Sequence, residues 1–392
     1  MSKKKEKGKK EKSWKERLRE RQIKHQRALE AYRVQREIEA ERKPRKRPKD
    51  IILMAFCLLV LIFGVYGVWQ FTRPSTPPEE ISPSQTPPQT SSYEAIYIKS
   101  NGTIYPSTAP ISNLRNTYYT FRADIDYPIV VERDNIIIDG AGYTIQGKGI
   151  DGSKGIDLTR RVNVTVKNVQ IKGFSYGVYM DRASGNVISK NNLTNNYCGV
   201  WLTYFSNNNK IISNIITNTT LSEGYGIWLK NSSENNIVGN KITLYTYGVY
   251  VGSSSKNTFS ENNIANNTLG IYLYSSVNNT ISANIVANNR NGVHFLQSSN
   301  NTVDGNTIAN NTYGIGFDSS SNNIIYHNNF IDNSEQVYSY TSKNIWDHGY
   351  PDGGNYWSDY NGADGDGDGI GDTQYFIDDD NQDRYPLMSL KR

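Results

Sequence analysis

A repeat of 22 residues constrains the fold of this chain more than any other feature of its sequence. The segments 254–275, 276–297 and 298–319 align without a gap, and the same frame fits 232–253 and 320–341. Self-similarity at a fixed period is the signature of a solenoid, in which each repeat packs only on its neighbours. One glycine marks each unit: Gly177, Gly199, Gly226, Gly248, Gly270, Gly292 and Gly314. The single step of 27 residues, near TNTTLSEG, predicts a loop that bulges from one coil.

Apolar residues follow each glycine at alternate positions, and a period of two predicts a strand with these side chains pointing inward. One column contains Val178, Val200, Ile227, Val249, Ile271, Val293, Ile315 and Val337, and a second contains Met180, Leu202, Leu229, Val251, Leu273, Phe295 and Phe317. Two further columns, beginning at Val166 and Ile171, precede the glycines and predict more short strands. Parallel strands about 4.8 Å apart would join successive coils around a continuous core. The predicted fold class is all-β, a right-handed parallel β-helix.

Asparagines recur in two further columns. They are Asn191, Asn214, Asn240, Asn262, Asn284, Asn306 and Asn328, and Asn186, Asn235, Asn257, Asn279, Asn301 and Asn323. Asparagine tolerates left-handed turn conformations, and stacked amides can bond from coil to coil. We therefore predict a structural role for both columns.

The N-terminal part of the chain predicts a membrane anchor. Residues 1–50 carry a net charge of +12 and the remaining chain −7, which together give +5. Residues 51–71 contain no charged residue, and about 20 apolar residues suffice to span a bilayer as a helix. Lys and Arg crowd the N-terminal flank of this segment, so the positive-inside rule predicts a cytoplasmic N-terminus and a C-terminal body outside the cell.

The predicted organisation has six parts. They are a basic cytoplasmic arm (1–50), a transmembrane helix (51–71), a Pro/Ser/Thr linker (72–92), an N-terminal segment with the first coils (93–161), the 22-residue repeats (162–341) and a C-terminal cap with an Asp-rich loop (342–392). The arm is expected to form a solvated charged helix whose basic end attracts anionic lipid headgroups. Nucleic-acid binding is not expected, because the arm has no aromatic-rich motif.

The repeat resembles the parallel β-helix repeats of the NosD-like family, which includes many archaeal cell-surface proteins. The resemblance covers about residues 95–390, with an opening segment at 130–147 and a closing segment at 344–388. It implies the fold and says little of function, because one fold hosts many activities. NosD itself is associated with maturation of a copper centre, so a copper maturation factor is one alternative that the resemblance suggests.

The Asp-rich loop DGDGDGIGD (364–372) predicts a calcium site in the C-terminal cap. Its spacing matches positions 1, 3, 5, 7 and 9 of a calcium-binding loop, where position 7 gives a backbone carbonyl. The predicted ligands are Asp364, Asp366, Asp368, Ile370 and Asp372. Position 12 is Tyr375, where an EF-hand has a bidentate glutamate, so the loop is not a complete EF-hand.

Aromatic residues occupy one column two residues after each marker glycine. We call Tyr179, Trp201, Trp228, Tyr250 and Tyr272 the aromatic stripe; His294 continues the column. The neighbouring columns are apolar, so the stripe is expected to point outward. Planar rings with polar tips suit stacking on sugar rings, which predicts binding of a polysaccharide or an envelope protein. Self-stacking that fixes the register of the coils is the alternative, and the two roles can coexist.

Catalysis is a weaker prediction. A glycosidase needs two carboxylates about 5–9.5 Å apart, and the acidic residues of the repeats fall in different columns or distant coils. His294 and Asp318 could share a face on adjacent coils, so a hydrolase or lyase stays an alternative. Sequons for N-glycosylation of an exported domain stand at Asn101, Asn163, Asn192, Asn218, Asn231, Asn266, Asn278, Asn300 and Asn310.

Overall fold

Residues 94–391 are described by a computed structural model and form a parallel β-helix, which confirms the predicted fold class. The predicted arm, transmembrane helix and linker lie outside these residues. Within residues 94–391, no helix has the length and apolar character needed to cross a membrane.

The strands are short and most pair in parallel with the coil before and after. Those ahead of the repeats are β1 (Ile96–Ile98), β2 (Ile104–Tyr105), β3 (Ile111–Leu114), β4 (Tyr118–Phe121), β5 (Ile129–Val131), β6 (Ile136–Asp139), β7 (Thr144–Gln146) and β8 (Lys154–Asp157). The first repeats contain β9 (Val164–Lys167), β10 (Gln170–Lys172), β11 (Tyr176–Asp181), β12 (Val187–Ser189), β13 (Asn192–Thr194), β14 (Cys198–Thr203), β15 (Lys210–Ile212), β16 (Ile215–Lys230), β17 (Asn236–Val238) and β18 (Lys241–Gly252).

The remaining strands continue this pattern to the C-terminal end. They are β19 (Thr258–Ser260), β20 (Asn263–Ala265), β21 (Leu269–Tyr274), β22 (Thr280–Ser282), β23 (Ile285–Ala287), β24 (Asn291–Leu296), β25 (Thr302–Asp304), β26 (Thr307–Ala309), β27 (Tyr313–Asp318), β28 (Ile324–Tyr326), β29 (Asn329–Ile331), β30 (Glu335–Tyr340), β31 (Tyr356–Trp357), β32 (Tyr375–Phe376) and β33 (Gln382–Asp383).

The apolar columns form the core, as predicted. In β19, β22 and β25 the register aligns Phe259 with Ile281 and Ile281 with Val303, and all three side chains are fully buried. The side chains of all four predicted apolar columns are buried along the repeats, except that Val337 in the last coil is only partly buried. Each coil therefore covers its neighbour, and the core runs along the axis of the solenoid.

The marker glycines are required by space rather than by backbone conformation. A Cβ atom placed on Gly292 would lie 2.4 Å from the carbonyl oxygen of Gly314, the glycine of the next coil. Gly292 does not have a positive φ, so another residue would not strain its backbone. The column is glycine because the backbones of successive coils approach too closely here for any side chain.

The two predicted asparagine columns are hydrogen-bonded ladders inside the solenoid. Asn284 shows the pattern: its backbone N–H and its Nδ2 both donate to Oδ1 of Asn306 in the next coil, at 2.9 Å each. Nδ2 also donates to the carbonyl of Phe259, 2.9 Å away in the coil before. Oδ1 of Asn284 in turn accepts from the backbone N–H and the Nδ2 of Asn262. Each amide thus satisfies buried backbone groups at the corners between strands.

In the pairs of adjacent asparagines at the turns, one residue adopts the left-handed conformation and the other belongs to a buried ladder. Asn300 is exposed and has a φ of 57°, in the left-handed region, whereas Asn301 is buried and belongs to a ladder. The same division holds for Asn278 and Asn279. We predicted both properties for asparagine, and the structure assigns them to different members of each pair.

Two ladders were not anticipated. A third asparagine ladder runs through Asn267, Asn289, Asn311 and Asn333. A serine ladder occupies another corner, where each backbone N–H donates to the hydroxyl of the next serine; its members are Ser206, Ser232, Ser254, Ser276, Ser298, Ser320 and Ser342. Asn209 also belongs to the column of Asn186.

The extra residues near TNTTLSEG lie within strand β16 rather than in a separate loop. β16 pairs with β18 on both sides of the insertion, and the register shifts between Thr217 and Ser222 and again between Ser222 and Tyr225. Asn218 is buried there and donates to the hydroxyl of Ser222. The insertion is therefore a bulge with its own polar contacts.

The C-terminal segment ends two of the ladders with different acceptors. Asn344 donates its backbone N–H to Oδ1 of Asn381, at 2.8 Å. Asn355 donates its backbone N–H to the carboxylate of Asp383, at 2.7 Å, and the indole Nε1 of Trp357 donates to the same oxygen at 2.9 Å. A carboxylate accepts without needing to donate, so Asp383 completes its ladder without a further coil.

Candidate functional site: an aromatic stripe on one sheet

The register of the strands brings the five residues of the aromatic stripe together. Tyr179 lies beside Trp201, Trp201 beside Trp228, Trp228 beside Tyr250, and Tyr250 beside Tyr272. All five side chains are partly exposed, whereas the residues on either side in each strand are buried. The stripe therefore lies on the outer face of the larger sheet, at the strand spacing of about 4.8 Å.

Three further tyrosines, which were not among the predicted site residues, lie beside the stripe. Tyr176, Tyr225 and Tyr247 occupy the position just before a marker glycine, and we call them the flanking tyrosines. Tyr225 stacks on Trp228 with ring centroids 4.4 Å apart, and on Tyr247 with centroids 5.1 Å apart. The Tyr-Gly dipeptides at these positions were a visible signal for a second aromatic column.

The two tryptophans stack on each other. Their ring centroids are 4.6 Å apart and their planes differ by 6°. The planes of rings that stack in this way from coil to coil are roughly perpendicular to the solenoid axis. Each ring therefore covers a face of its neighbour, and its edge points away from the sheet. The indole Nε1 atoms of Trp201 and Trp228 are buried and have no hydrogen-bond acceptor. This geometry agrees with the self-stacking alternative.

Tyr250 has a different orientation. Its ring is nearly perpendicular to Trp228 (78°), Tyr225 (89°) and Tyr247 (82°). Tyr179 is likewise turned by 74° from Trp201, and the ammonium of Lys154 lies 3.9 Å from the centre of its ring. The stripe thus combines stacked rings with rings turned through about a right angle.

The hydroxyls of Tyr179, Tyr225 and Tyr272 stay protonated over the whole physiological range because the pKa of each is raised. Burial raises the pKa of Tyr179 to about 12, and the nearby carboxylates of Asp181 and Asp157 add to the shift. Burial also raises the pKa of Tyr225 and of Tyr272 well above the ordinary value. Neutral hydroxyls can both donate and accept hydrogen bonds, which suits recognition of sugar hydroxyls.

Cys198 occupies the same column as the flanking tyrosines. Its side chain is fully buried, and burial raises the pKa of the thiol far above its usual value. Because the thiolate is the reactive form of cysteine, Cys198 acts here as a small packing residue.

His294 and Asp318 do lie on the same outer face. His294 is aligned with Gly316, and the neighbouring Leu296 with Asp318, so the two polar residues are diagonal neighbours on adjacent coils. A Cβ atom on Gly316 would come within 2.7 Å of His294 Nδ1, which shows that the imidazole lies over this glycine. Asn291 Nδ2 lies 3.3 Å from the same nitrogen. The pair has one carboxylate, whereas glycoside hydrolysis ordinarily uses two.

The Asp-rich loop places three of its predicted calcium ligands together. Ligand oxygens of Asp364, Asp366 and Asp368 all lie within 4.8 Å of one another. Asp364 accepts hydrogen bonds from the backbone N–H groups of Gly367 and Gly369, at 2.7 and 3.0 Å. Asp372 accepts from the N–H of Gly365 at 2.8 Å. The loop therefore closes on itself with its carboxylates turned toward a common centre.

Comparison with known proteins identifies the class and then the family. The matching family model is described as a periplasmic copper-binding protein (NosD), and it matches residues 101–275 and 213–362. These matches cover more than half of the chain, so the protein, a parallel β-helix built from repeats, belongs to the NosD family. No curated protein matches the sequence.

Several solved structures are similar in fold. The A-module of mannuronan C-5 epimerase AlgE6 from Azotobacter vinelandii has 16% identity and a TM-score of 0.40, over 58% of this chain and 76% of that one. The periplasmic alginate epimerase AlgG has 17% identity and a TM-score of 0.39, over 60% and 68%. The enzymatically active domain of bacteriophage CBA120 tailspike protein 2 has 13% identity and a TM-score of 0.45, over 57% and 43%. These similarities concern the fold alone.

Copper does not fit the residues that the structure describes. Of the three soft ligands in the described residues, Met180 and Cys198 are fully buried in the solenoid, whereas Met388 is exposed. His327 and His348, which are far apart in sequence, do come together: His327 Nε2 lies 2.9 Å from the carbonyl of Asp352, and His348 Nδ1 lies 2.5 Å from its carboxylate. The carboxylate of Asp352 lies near both imidazoles. Within residues 94–391, however, only the aspartates of the Asp-rich loop form a group of three His, Cys, Asp or Glu residues whose ligand atoms all lie within 4.8 Å of one another. Hard carboxylate oxygens favour calcium or magnesium over copper.

Proposed function

We propose that this protein is a non-catalytic, membrane-anchored β-helix of the cell envelope that binds carbohydrate through its aromatic stripe. The observation that carries the proposal is the alignment of five partly exposed aromatic side chains on successive coils, with flanking tyrosines beside them. Exposed apolar patches often mark binding sites, and aromatic rings with polar tips suit stacking on sugars. A protein partner in the envelope is the other occupant that such a surface fits.

The sequence supports a location of the β-helix outside the cell. The uncharged segment 51–71 and the basic residues that precede it favour a single-pass anchor with the β-helix on the outer side. The basic end of the arm would then meet anionic headgroups at the inner leaflet. Nucleic acid would not be a partner of the β-helix, because residues 51–392 carry a net charge of −7.

Calcium binding by the Asp-rich loop is part of the same proposal. A cation among Asp364, Asp366 and Asp368 would relieve the repulsion of three carboxylates held within 4.8 Å. Its role would be structural, because the loop lies close to the ends of the ladders: the backbone N–H of Gly371 donates to the carbonyl of Pro386 at 2.8 Å, three residues from Asp383.

The test is binding of the full-length protein to an array of envelope and plant-type glycans with calcium present. We expect specific retention, and we expect the combined replacement of Trp201, Trp228 and Tyr250 by alanine to abolish it. Replacement of Tyr143, which is 39% exposed and lies outside the stripe, is the matched control. Far-UV circular dichroism should show the same β-helix in all three proteins.

Retention that is unchanged in the triple variant would refute the role of the stripe. Release of new reducing ends or of unsaturated products from a bound glycan, lost on changing His294 or Asp318, would favour the enzymatic alternative instead. A screen that finds neither binding nor turnover would leave an envelope protein as the partner to seek.

A further inference from the structure

Tyr250 lies flat on the outer face of the sheet. Its ring is nearly perpendicular to the stacked rings of Trp228, Tyr225 and Tyr247. Because rings stacked from coil to coil have their normals roughly along the solenoid axis, the normal of Tyr250 points across that axis. The ring extends along its own strand toward Gly252, so one of its faces is turned to the sheet and the other away from it.

Gly252 makes this orientation possible. A Cβ atom on Gly252 would lie 2.8 Å from Cε1 of Tyr250, 3.6 Å from its hydroxyl oxygen and 3.7 Å from Cδ1. Gly252 does not have a positive φ, so the backbone there does not require glycine. The absence of a side chain at Gly252 leaves room for the ring of Tyr250, which lies against the position that a Cβ atom would occupy.

Two side chains rise on either side of this ring. The register pairs Gly252 with Lys230 in the coil before and with Tyr274 in the coil after. Their Cα atoms are therefore about 10 Å apart, two strand spacings, with Tyr250 between them. We call this arrangement the Tyr250 slot: an aromatic floor with a lysine on one side and a tyrosine, 38% exposed, on the other.

The charge in the slot is positive. Lys230 is exposed and forms no ion pair with any residue in the range 94–391, unlike Lys154, Lys167 and Lys256. Its neighbours in the same column are Thr203 and Gly252, both uncharged. In this column Asp181 lies two coils before Lys230, at about 10 Å, and forms an ion pair with Arg182. Asp318 lies four coils after Lys230, at about 19 Å. Both distances exceed the screening length of about 8 Å in physiological salt.

We propose that the Tyr250 slot recognises an acidic sugar unit, such as a uronate, whose ring stacks on Tyr250 while its carboxylate contacts Lys230. This inference rests on the proposed carbohydrate binding and adds the class of sugar and the subsite. The outward face of Tyr250 supplies the stacking surface, and the ammonium of Lys230 supplies a charge-assisted hydrogen bond. The stacked tryptophans present edges and play a supporting part.

The test compares matched sugars by isothermal titration calorimetry of the full-length protein. The probes are oligomers of glucuronate, galacturonate and mannuronate, each with its carboxyl-reduced, neutral counterpart. We expect one acidic oligomer to bind about tenfold more tightly than its reduced form in low salt, as one charge-assisted contact allows. The preference should shrink as ionic strength rises.

Three variants separate the contributions. Lys230→Ala should abolish the preference for the acidic form, whereas Lys241→Ala, an exposed lysine at the other end of the strand that carries Tyr250, should retain it. Gly252→Ala should weaken binding of both forms about tenfold or more, because its Cβ would lift the ring from the sheet while the backbone is unaffected.

The outcomes of this experiment are distinct. Equal binding of acidic and neutral forms by the wild-type protein, or a preference that survives Lys230→Ala, would overturn the slot and leave the proposed function intact. Binding of neither form, with no retention of any glycan on the array, would overturn both. Loss of the preference in Lys230→Ala alone, with Gly252→Ala weakened for both forms, is the result that the slot requires.

Discussion

Replacing Asn284 with alanine removes one rung from the middle of the asparagine ladder that begins at Asn191. Two buried backbone groups would then each lose a hydrogen bond: the N–H of Asn262, which donates to Oδ1 at 2.9 Å, and the carbonyl of Phe259, which accepts from Nδ2 at 2.9 Å. An unsatisfied buried group costs about 1–3 kcal/mol. The expected loss in free energy of unfolding is therefore about 2–6 kcal/mol.

The matched control is Ile285→Ala, one residue further along the same coil. Its side chain is 49% exposed, and surface substitutions away from special features usually change stability by less than about 0.5 kcal/mol. Asn284→Asp separates the two roles of the amide, because a carboxylate still accepts from Asn262 but cannot donate to the carbonyl of Phe259. At a pH where the new side chain is protonated, the free energy of unfolding of Asn284→Asp should lie between those of the control and the alanine variant. At a pH where burial of the charged carboxylate dominates, it should lie below that of the alanine variant.

The assay is guanidinium unfolding followed by far-UV circular dichroism, together with native-state hydrogen exchange. Repeat proteins can unfold in parts, so exchange of individual amides locates the effect. The N–H of Asn262 should lose protection in Asn284→Ala, while amides several coils away change little. An alanine variant as stable and as well protected as Ile285→Ala would refute the reasoning, because it would mean that the ladder amides are replaceable by water.

Three further predictions follow from the structure. Gly292→Ala should lower the free energy of unfolding by more than about 2 kcal/mol, since its Cβ would stand 2.4 Å from the carbonyl of Gly314; a thermal melt like that of the wild type would contradict this. Burial raises the pKa of Asp383 to about 6 in the folded state, so stability should fall as the pH rises from about 4 to about 6, by up to about 3 kcal/mol, and then level off. The unfolded chain loses its proton first in that interval, and Asp383→Asn should remove this part of the slope in urea titrations at each pH. Calcium should raise the melting temperature of the wild-type protein but not of Asp366→Asn; an equal rise in both would exclude the Asp-rich loop as the site.

Most of the fold was predictable from the sequence because a solenoid repeats one set of local constraints. The column of Val178 and its equivalents predicted the inward face of the strands, and the asparagine columns predicted the corners between strands. The pairing of strands from coil to coil follows directly from a period of 22 residues. The insertion near Thr219 was recognised as a departure from the period, but its continuation as a bulged strand depended on hydrogen bonds that a one-coil pattern does not reveal.

The candidate site was less predictable. The sequence placed the five residues of the stripe in one column, yet the tilt of each ring depends on the side chains next to it. Tyr250 turns flat because Gly252 leaves room, whereas Trp201 and Trp228 stack because neither has such a neighbour. The approach of His327 to His348 was also hidden, because it depends on how residues 344–355 fold back on the last coils.

The two ladder ends at Asn381 and Asp383 close the C-terminal end of the ladders independently of the interior of the solenoid. Inner rungs such as Asn284 bond only within their own coil and to the two adjacent coils, so a duplication or deletion of one 22-residue unit in the gene would preserve each local environment and shift the terminal segment by one coil. Evolution could in this way lengthen or shorten the stripe by single rings while keeping the same closure. Family members should then differ by whole units more readily than by residues within a unit.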